Sequence, residues 1–379
     1  MNVAVAIDSF KGSLSTFEAG EAVARGVRRV YADATVTVCP LADGGEGTVD
    51  AIVAGAKGSF CDVEVMGPLG EKVKGRYGMI SETKTAVIEM ASAAGITLVP
   101  DEKRDPLVTT TYGVGEMIAD AISKGCRHFI IGIGGSATND GGVGMLRALG
   151  FEFLDKKGDA IAQGAIGLKD LCEIRTEGAL AELCECEFNI ACDVKNPLCG
   201  ESGCSAVYGP QKGATPETVK QMDAWLAKYA ELTSKVRKGA DANYPGVGAA
   251  GGMGFAFLSY LDGRLVSGIE LVMQVTGIEK QLEAADVVVT GEGRLDGQSC
   301  MGKAPVGIAM AAKKYGKPVI AFSGCVRDDA RACNDHGIDA FFPILKVPCS
   351  LADAMDIENA SNNLADTAEQ AFRMIKTFA

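Results

Sequence analysis

Several glycine-rich strings carry polar or charged side chains just past a point where a strand should end. Gly134–Gly142, GGSATNDGG, follows the apolar run HFIIGI and leads into GVGMLRALG. A glycine turn running into a helix start exposes backbone N–H groups and a positive helix end, which suits phosphate. Gly134, Gly135, Ser136 and Thr138 are the candidate donors there. Asp140 could hold Mg2+ or simply cap the helix, since Asn and Asp are usual cap residues. A second string, Thr290–Pro305, reads TGEGRLDGQSCMGKAP. Its Gly297–Lys303 stretch matches G-x-x-x-x-G-K, but Ala304 stands where a Walker loop needs Ser or Thr for Mg2+. The match also begins too far beyond the strand, so a P-loop is rejected. Lys303, just ahead of a helix, remains able to touch phosphate. Glu292, Arg294 and Asp296 alternate acid, base and acid; they read equally well as surface pairs of little energy.

Other strings repeat the pattern. Asp8–Ser15, DSFKGSLS, brings Lys11 past the first strand, where it could pair with a substrate carboxylate. Ser13 or Ser15 would cap the helix that follows. Leu41–Thr48, LADGGEGT, offers Asp43 and Glu46 with the same two readings. Asp193–Gly200, DVKNPLCG, places Asp193 just after FNIAC and before an Asn196-Pro197 turn. Asp193 could be a base, a metal ligand or a turn former. Gly248–Phe257, GAAGGMGFAF, reads as close packing or a hinge, and Glu270 in SGIEL as a partner of a helix dipole.

Composition narrows the classes. A chain of 379 residues with 47% hydrophobic and 23% charged residues is globular and fits two domains or one large one. Its 48 glycines follow no G-x-y period, so they belong to turns and close approaches. The net charge of −12 argues against nucleic acid or an anionic membrane as partner. With two His (His128 and His336) and no C-x-x-C among 13 Cys, neither a zinc cage nor a His-based triad is supported. Cys39, Cys61 and Cys192 read as small core hydrophobes of a reducing compartment. The start MNVAVAIDSF is a strand and not a signal peptide, and the uncharged part of 245–261 is too glycine-rich to span a membrane. A soluble, cytoplasmic chain is expected.

The elements that must position these strings follow from apolar runs. Val3–Ile7 and Thr35–Cys39 predict strands around a helix near Thr16–Val30. Val287–Thr290, Val319–Ser323 and Ala340–Ile344 predict more, with helices at Pro305–Tyr315 and Asp328–His336 and a long helix over Ala352–Thr377. Strand–helix–strand alternation predicts parallel βαβ units. The middle differs: strands Cys61–Met66 and Lys72–Ile80 flank a Gly-Pro-Leu-Gly turn, then come Thr85–Met90, His128–Ile133 and Phe188–Cys192. Helices are expected at Val108–Lys124 and Glu217–Lys238. The fold class is therefore α/β in two domains. A doubly wound, Rossmann- or flavodoxin-like parallel sheet is built from 1–60 and 275–379, and a mixed α/β domain, 61–274, is inserted.

In this order, the strings resemble the class I, bacterial-type glycerate kinase family: DSFKGSLS, LADGGEGT, GGSATNDGG, DVKNPLCG, YGPQKGA (208–214), GAAGGMGFAF, SGIEL, TGEGRLDGQ and GKAP. Small departures are Cys204, where Ala is more usual, and Ser299, where Thr is. The resemblance implies transfer of the ATP γ-phosphoryl group to a hydroxyl of D-glycerate, with 2-phosphoglycerate favoured over 3-phosphoglycerate. It implies ATP and Mg2+ as cofactors and an active site in the cleft between the domains. Within the shared strings the basic residues are Lys11, Lys195, Lys212, Arg294 and Lys303. Arg294, whose fork grips carboxylates in bidentate fashion, is assigned to the substrate carboxylate with Lys11 as partner. Lys303, Gly134, Gly135, Ser136 and Thr138 are assigned to nucleotide phosphates. Asp193 is the expected base, with Asp296 as runner-up and as Mg2+ ligand beside Asp140. Partners are thus small molecules, with no nucleic acid or membrane; assembly into a homo-oligomer stays open. Two other classes remain in view. An NAD(P)-dependent oxidoreductase of a small hydroxy acid would want G-x-G-x-x-G after the first strand, and that pattern is missing. A non-catalytic sensor of phosphorylated metabolites would not need so many carboxylates.

Overall fold

Val3–Ile7 is almost wholly buried, as an apolar strand must be when helices cover both faces of its sheet. In the computed structural model the described residues are 1–378 apart from Asp43, Glu46, Gly302 and the Met301 side chain. The readings of Asp43 and Glu46 therefore lie outside the described residues. Along the chain, β1 (Asn2–Ile7) and β2 (Thr35–Val38) come first, then β3 (Ser59–Met66), β4 (Lys72–Ile80), β5 (Thr85–Glu89) and β6 (His128–Gly132). Next are β7 (Glu152–Leu154), β8 (Glu173–Arg175), β9 (Glu187–Ala191) and β10 (Arg264–Val266). The last three are β11 (Val287–Leu295), β12 (Val319–Val326) and β13 (Ala340–Pro343). The fold is mixed α/β with parallel sheets.

Two compact units divide the chain. One holds 1–43, 50–56 and 267–379; the other holds 44–49 and 57–266. The return to the first unit comes before 275, because the helix Gly268–Thr276 packs on the helix Ala304–Lys313.

The first unit is a five-stranded sheet in the order β13-β12-β11-β1-β2. All its pairings are parallel. Numbered by their order within this unit, the strands run 2-1-3-4-5, the flavodoxin-like winding, whose direction reverses between β1 and β11. On one face Val3, Val5, Ile7, Val289 and Phe322 meet the helices Thr16–Arg28 and Ile357–Phe378. A capping box of Ser15 and Glu18 starts the first of these helices. On the other face Ala304–Lys313 lies against β1 and β11. The terminal helix is not continuous: Asp356 is extended between Leu351–Met355 and Ile357–Phe378, and its side chain accepts from Asn359 N at 2.9 Å. The helical segment expected over Asp328–His336 is a 3-10 helix with those bounds.

In the second unit the order is β10-β9-β6-β5-β4-β3. The β3–β4–β5 part is antiparallel and the rest is parallel. Phe129 and Phe188 stack across β6 and β9 with ring centres 4.8 Å apart. The helix expected from Val108 starts at Tyr112, because Thr109, Thr110 and Thr111 are spent on tertiary bonds to Ala137 O, Pro68 O and Asp140. GAAGGMGFAF turns out to be a packing device. Gly251 has φ +68°, its carbonyl accepts from Gly141 N at 2.9 Å, and a Cβ there would stand 2.1 Å from Thr138 O.

Among the described residues no helix is long and apolar enough to cross a membrane. Close helix contact in the first unit rests on Gly26, where a Cβ would meet Ala365 O at 2.2 Å. Gly26→Ala should cost about 1–3 kcal/mol through overpacking, read as a lower urea midpoint with unchanged m. An unchanged midpoint would show that the two helices have room to separate.

Candidate active site

Open α/β sheets bind ligands beyond the carboxyl ends of strands where the winding reverses. In the first unit that place is the end of β1 beside the end of β11, and a cavity of about 570 Å3 lies there. Asp8, Lys11, Glu292, Arg294 and Lys303 supply its charge, while Ile344, Leu345, Leu351 and Met355 supply an apolar wall. A cavity of this size suits a small molecule or cofactor. The structure thus brings three of the expected cations, Lys11, Arg294 and Lys303, to one pocket.

The carboxylates around them are buried. Asp8 is 4% and Glu292 9% exposed, so Glu292 is no surface pair. Asp8 extends the ladder one residue past β1, its N–H donating to Gly291 O at 2.9 Å, and its Oδ1 accepts from Ser9 N at 2.7 Å. Glu292 accepts from Ser299 Oγ, which in turn accepts from Asp296 N at 3.1 Å. These residues were expected in a loop. Instead β11 runs on to Leu295, pairing Glu292 with Ser323 and Arg294 with Cys325. Arg294 Nε lies 3.0 Å from Asp296 Oδ2, leaving both Nη groups without a partner among the described residues. The Asp296 Oδ1 accepts from Gln298 N at 3.0 Å. Each oxygen of Asp296 thus has one partner, which makes this carboxylate an orienting partner for Arg294. Lys303 stands at the N-cap of Ala304–Lys313 without bonding the cap through its side chain.

The second unit holds the loop after β6. Gly134 and Gly135 are exposed, and the N–H groups of Gly134, Gly135 and Ser136 have no acceptor among the described residues. Ser136 Oγ accepts from Lys212 Nζ at 2.8 Å, and the same Nζ donates to Thr138 O at 2.6 Å. Lys212 itself is buried, and burial pushes its ammonium down to about 8 while the Cys204 thiol and Asp140 push back up. Two expectations for this loop need correction. Thr138 is fully buried with its Oγ1 unbonded, so it is no surface donor. Asp140 is no open metal ligand. Its oxygens accept from Thr111 N (2.9 Å), Thr111 Oγ1 (2.8 Å), Gly142 N (3.1 Å) and Gly144 N (3.2 Å). It fills the start of a helix of six residues, Val143–Ala148, from inside, so that helix end offers nothing to an anion. Burial pushes the Asp140 carboxyl up and these donors pull it back.

Asp193 lies exposed beyond the end of β9. The turn that follows is held by Asn196, which donates to Ser202 O at 2.8 Å and accepts from Tyr208 OH at 2.6 Å. Among the described residues no three His, Cys, Asp or Glu gather as a metal cage. Such a grouping is not required for Mg2+, which binds through one or two carboxylates plus phosphates. Sequence reasoning passed over Asp8, whose one signal was being the first charged residue after an apolar run. It left Lys212 without a role, since nothing marks a lone lysine in YGPQKGA as buried.

Residues 3–376 match the family model described as the glycerate kinase family. The chain belongs to the glycerate kinase family. Relatives include a glycerate kinase from Haemophilus influenzae, 47% identical over 99% of both chains. A glycerate 2-kinase from Escherichia coli is 46% identical over 97% of this chain and 98% of its own. Among solved structures, one described as glycerate kinase 2 from Salmonella typhimurium superposes with a TM-score of 0.90 at 46% identity, covering 100% of this chain and 98% of that one. As a kinase of this family the protein is a phosphotransferase. Its two departures from the usual strings each sit in a hydrogen bond: Cys204 Sγ donates to Leu198 O at 3.2 Å, and Ser299 Oγ serves Glu292.

If Asp140 is a cap, Asp140→Asn turns an amide NH2 toward N–H donors and should cost about 1–3 kcal/mol. A thermal melt should show the loss while the metal requirement at 25 °C stays unchanged. A normal melt with an altered metal requirement would overturn the capping account.

Proposed function

We propose that this family member transfers the γ-phosphoryl group of ATP to a hydroxyl of D-glycerate, giving 2-phosphoglycerate in preference to 3-phosphoglycerate. The observation that carries the reading is the first unit's pocket. There three cations and two buried carboxylates meet at the reversal of strand order, in a chain matching glycerate kinases along its whole length. The 2-position is favoured by the name of the Escherichia coli relative, a glycerate 2-kinase.

Phosphoryl transfer asks a protein for positioning and charge neutralisation more than for covalent help. The two unpartnered Nη groups of Arg294 present a fork for the glycerate carboxylate, and Asp296 on Nε keeps that fork in one orientation. Lys11 adds a second cation beside it, and Lys303 serves phosphate oxygens. Leu345, Leu351 and Met355 give the pocket an apolar side. The oxygen donors of Asp8 and Glu292, buried beside the cations, fit a hard divalent ion and would hold Mg2+. When bound, Mg2+ supplies charge neutralisation on the phosphates. We assign Asp193 to orienting the acceptor hydroxyl and taking up its proton.

With ATP and Mg2+, the protein should release ADP in proportion to added D-glycerate, and phosphorus NMR of the product should show the 2-phosphate. ADP release equal to the glycerate-free control would remove the kinase reading for this chain. Arg294→Lys keeps the charge and loses the fork; the KM for glycerate should rise roughly tenfold or more, with that for ATP within about twofold. Asp193→Asn should lower kcat by up to about 10²–10⁴ while keeping the melting temperature within a few degrees. Normal turnover by Asp193→Asn would take the proton-accepting role away from it.

A further inference from the structure

The Lys212 side chain is 2% exposed, yet its ammonium bonds only the neutral oxygens Ser136 Oγ and Thr138 O. No Asp or Glu among the described residues lies within ion-pair distance of it. An interior ammonium without a counter-ion is costly, and a mere tie between the turn Pro210–Lys212 and this loop could be made by an uncharged amide. The placement of the charge therefore calls for a use. Because Ser136 Oγ accepts from Lys212, the Ser136 hydroxyl proton is left to donate, next to the unsatisfied N–H groups of Gly134, Gly135 and Ser136. These four donors, backed by a cation, match a phosphate oxyanion.

We propose that Lys212 is a positioning residue for the nucleotide's phosphate chain: it holds Ser136 as a donor and sets its positive charge behind the Gly134–Ser136 turn. The proposal rests on the kinase reading above and adds the turn as a phosphate subsite. The titratable groups that face the ammonium are Asp140 and the Cys204 thiol. Burial pushes that thiol up to about 11, so it keeps its proton at pH 7–9.5, and Asp140 is held by its four donors. Lys212, lowered to about 8 from 10.5, loses its charge within that range. In the unfolded chain the lysine keeps its proton to a higher pH, so across this window the unfolded state binds more protons and Lys212 makes the fold more stable as pH rises. Affinity for phosphate should move the other way. The titration of Lys212 itself therefore cannot weaken binding by unfolding the chain.

The test measures KM for ATP and for D-glycerate, together with direct calorimetric binding of Mg-ATP, from pH 7 to 9.5. Wild type, Ser136→Ala, Lys212→Met and Lys212→Arg are compared. In the wild type, KM for ATP should rise roughly tenfold through about pH 8 with KM for glycerate nearly flat. Lys212→Met should start at the weaker value and show no such pH step, and Ser136→Ala should start weaker while keeping a smaller step from the remaining Lys212 charge. Lys212→Arg, which keeps its charge throughout, should lose the step also. If Lys212→Met fails to fold, the wild-type profile and Ser136→Ala still decide. Unchanged ATP affinity in Ser136→Ala would overturn the phosphate subsite. A weakened Ser136→Ala with a flat wild-type profile would overturn the part given to Lys212 alone. Effects confined to glycerate would overturn the choice of phosphate over carboxylate. Mg-ATP binding without any turnover would count against the kinase reading and leave the subsite standing.

Discussion

The parallel pairing of β1 with β11 is the constraint from which the pocket follows. Val3 through Ile7 lie in register with Val287 through Gly291. That register carries the next residues, Asp8 and Glu292, to the same end of the sheet, where the winding reverses. Lys11 and Arg294 come with them. No local element could assemble this set, because its members come from opposite ends of the chain. The apolar runs that read as plain core therefore also place the charges.

Polar burial in the second unit follows a different logic. The loop after β6 turns inward after Ser136, and it must satisfy its polar groups without water. Asp140 does so by collecting N–H and O–H donors from its own loop and from Thr111, which fixes the path of the chain through Gly142–Gly144. Lys212 meets the same demand with neutral oxygens and a depressed ammonium. Close packing of Gly251 on Thr138 O then leaves this loop little freedom, so its three leading N–H groups are held ready.

What could be read in the sequence tracks what is local. Val3–Ile7, HFIIGI and the strands around Gly-Pro-Leu-Gly announced themselves as strands because burial of a run or a tight turn leaves a pattern in adjacent residues. The far half of β11 did not: Gly-Glu-Gly-Arg has no strand composition and is held by pairing with β12. Strands β7, β8 and β10, at three residues each, are too short to show a period. Among the site residues, Lys11, Arg294 and Lys303 were findable by charge and position after a strand. Asp140 was ambiguous because its decisive partner, Thr111, lies 29 residues upstream. Lys212 was opaque, since exposure is the usual state of a lysine and only the three-dimensional packing reverses it.

The division of the first unit between both chain ends has a consequence for how the protein is made. Translation of β1 precedes translation of the strand that must lie beside it by 284 residues, Val287 against Val3. At about 5–20 residues per second that interval lasts roughly 15–60 s. The inserted unit, with a core of its own, ends at Val266, only 21 residues ahead of Val287. Throughout the delay Val3, Val5 and Ile7 lack the β11 side of their sheet, and apolar surface that the finished fold buries stays open.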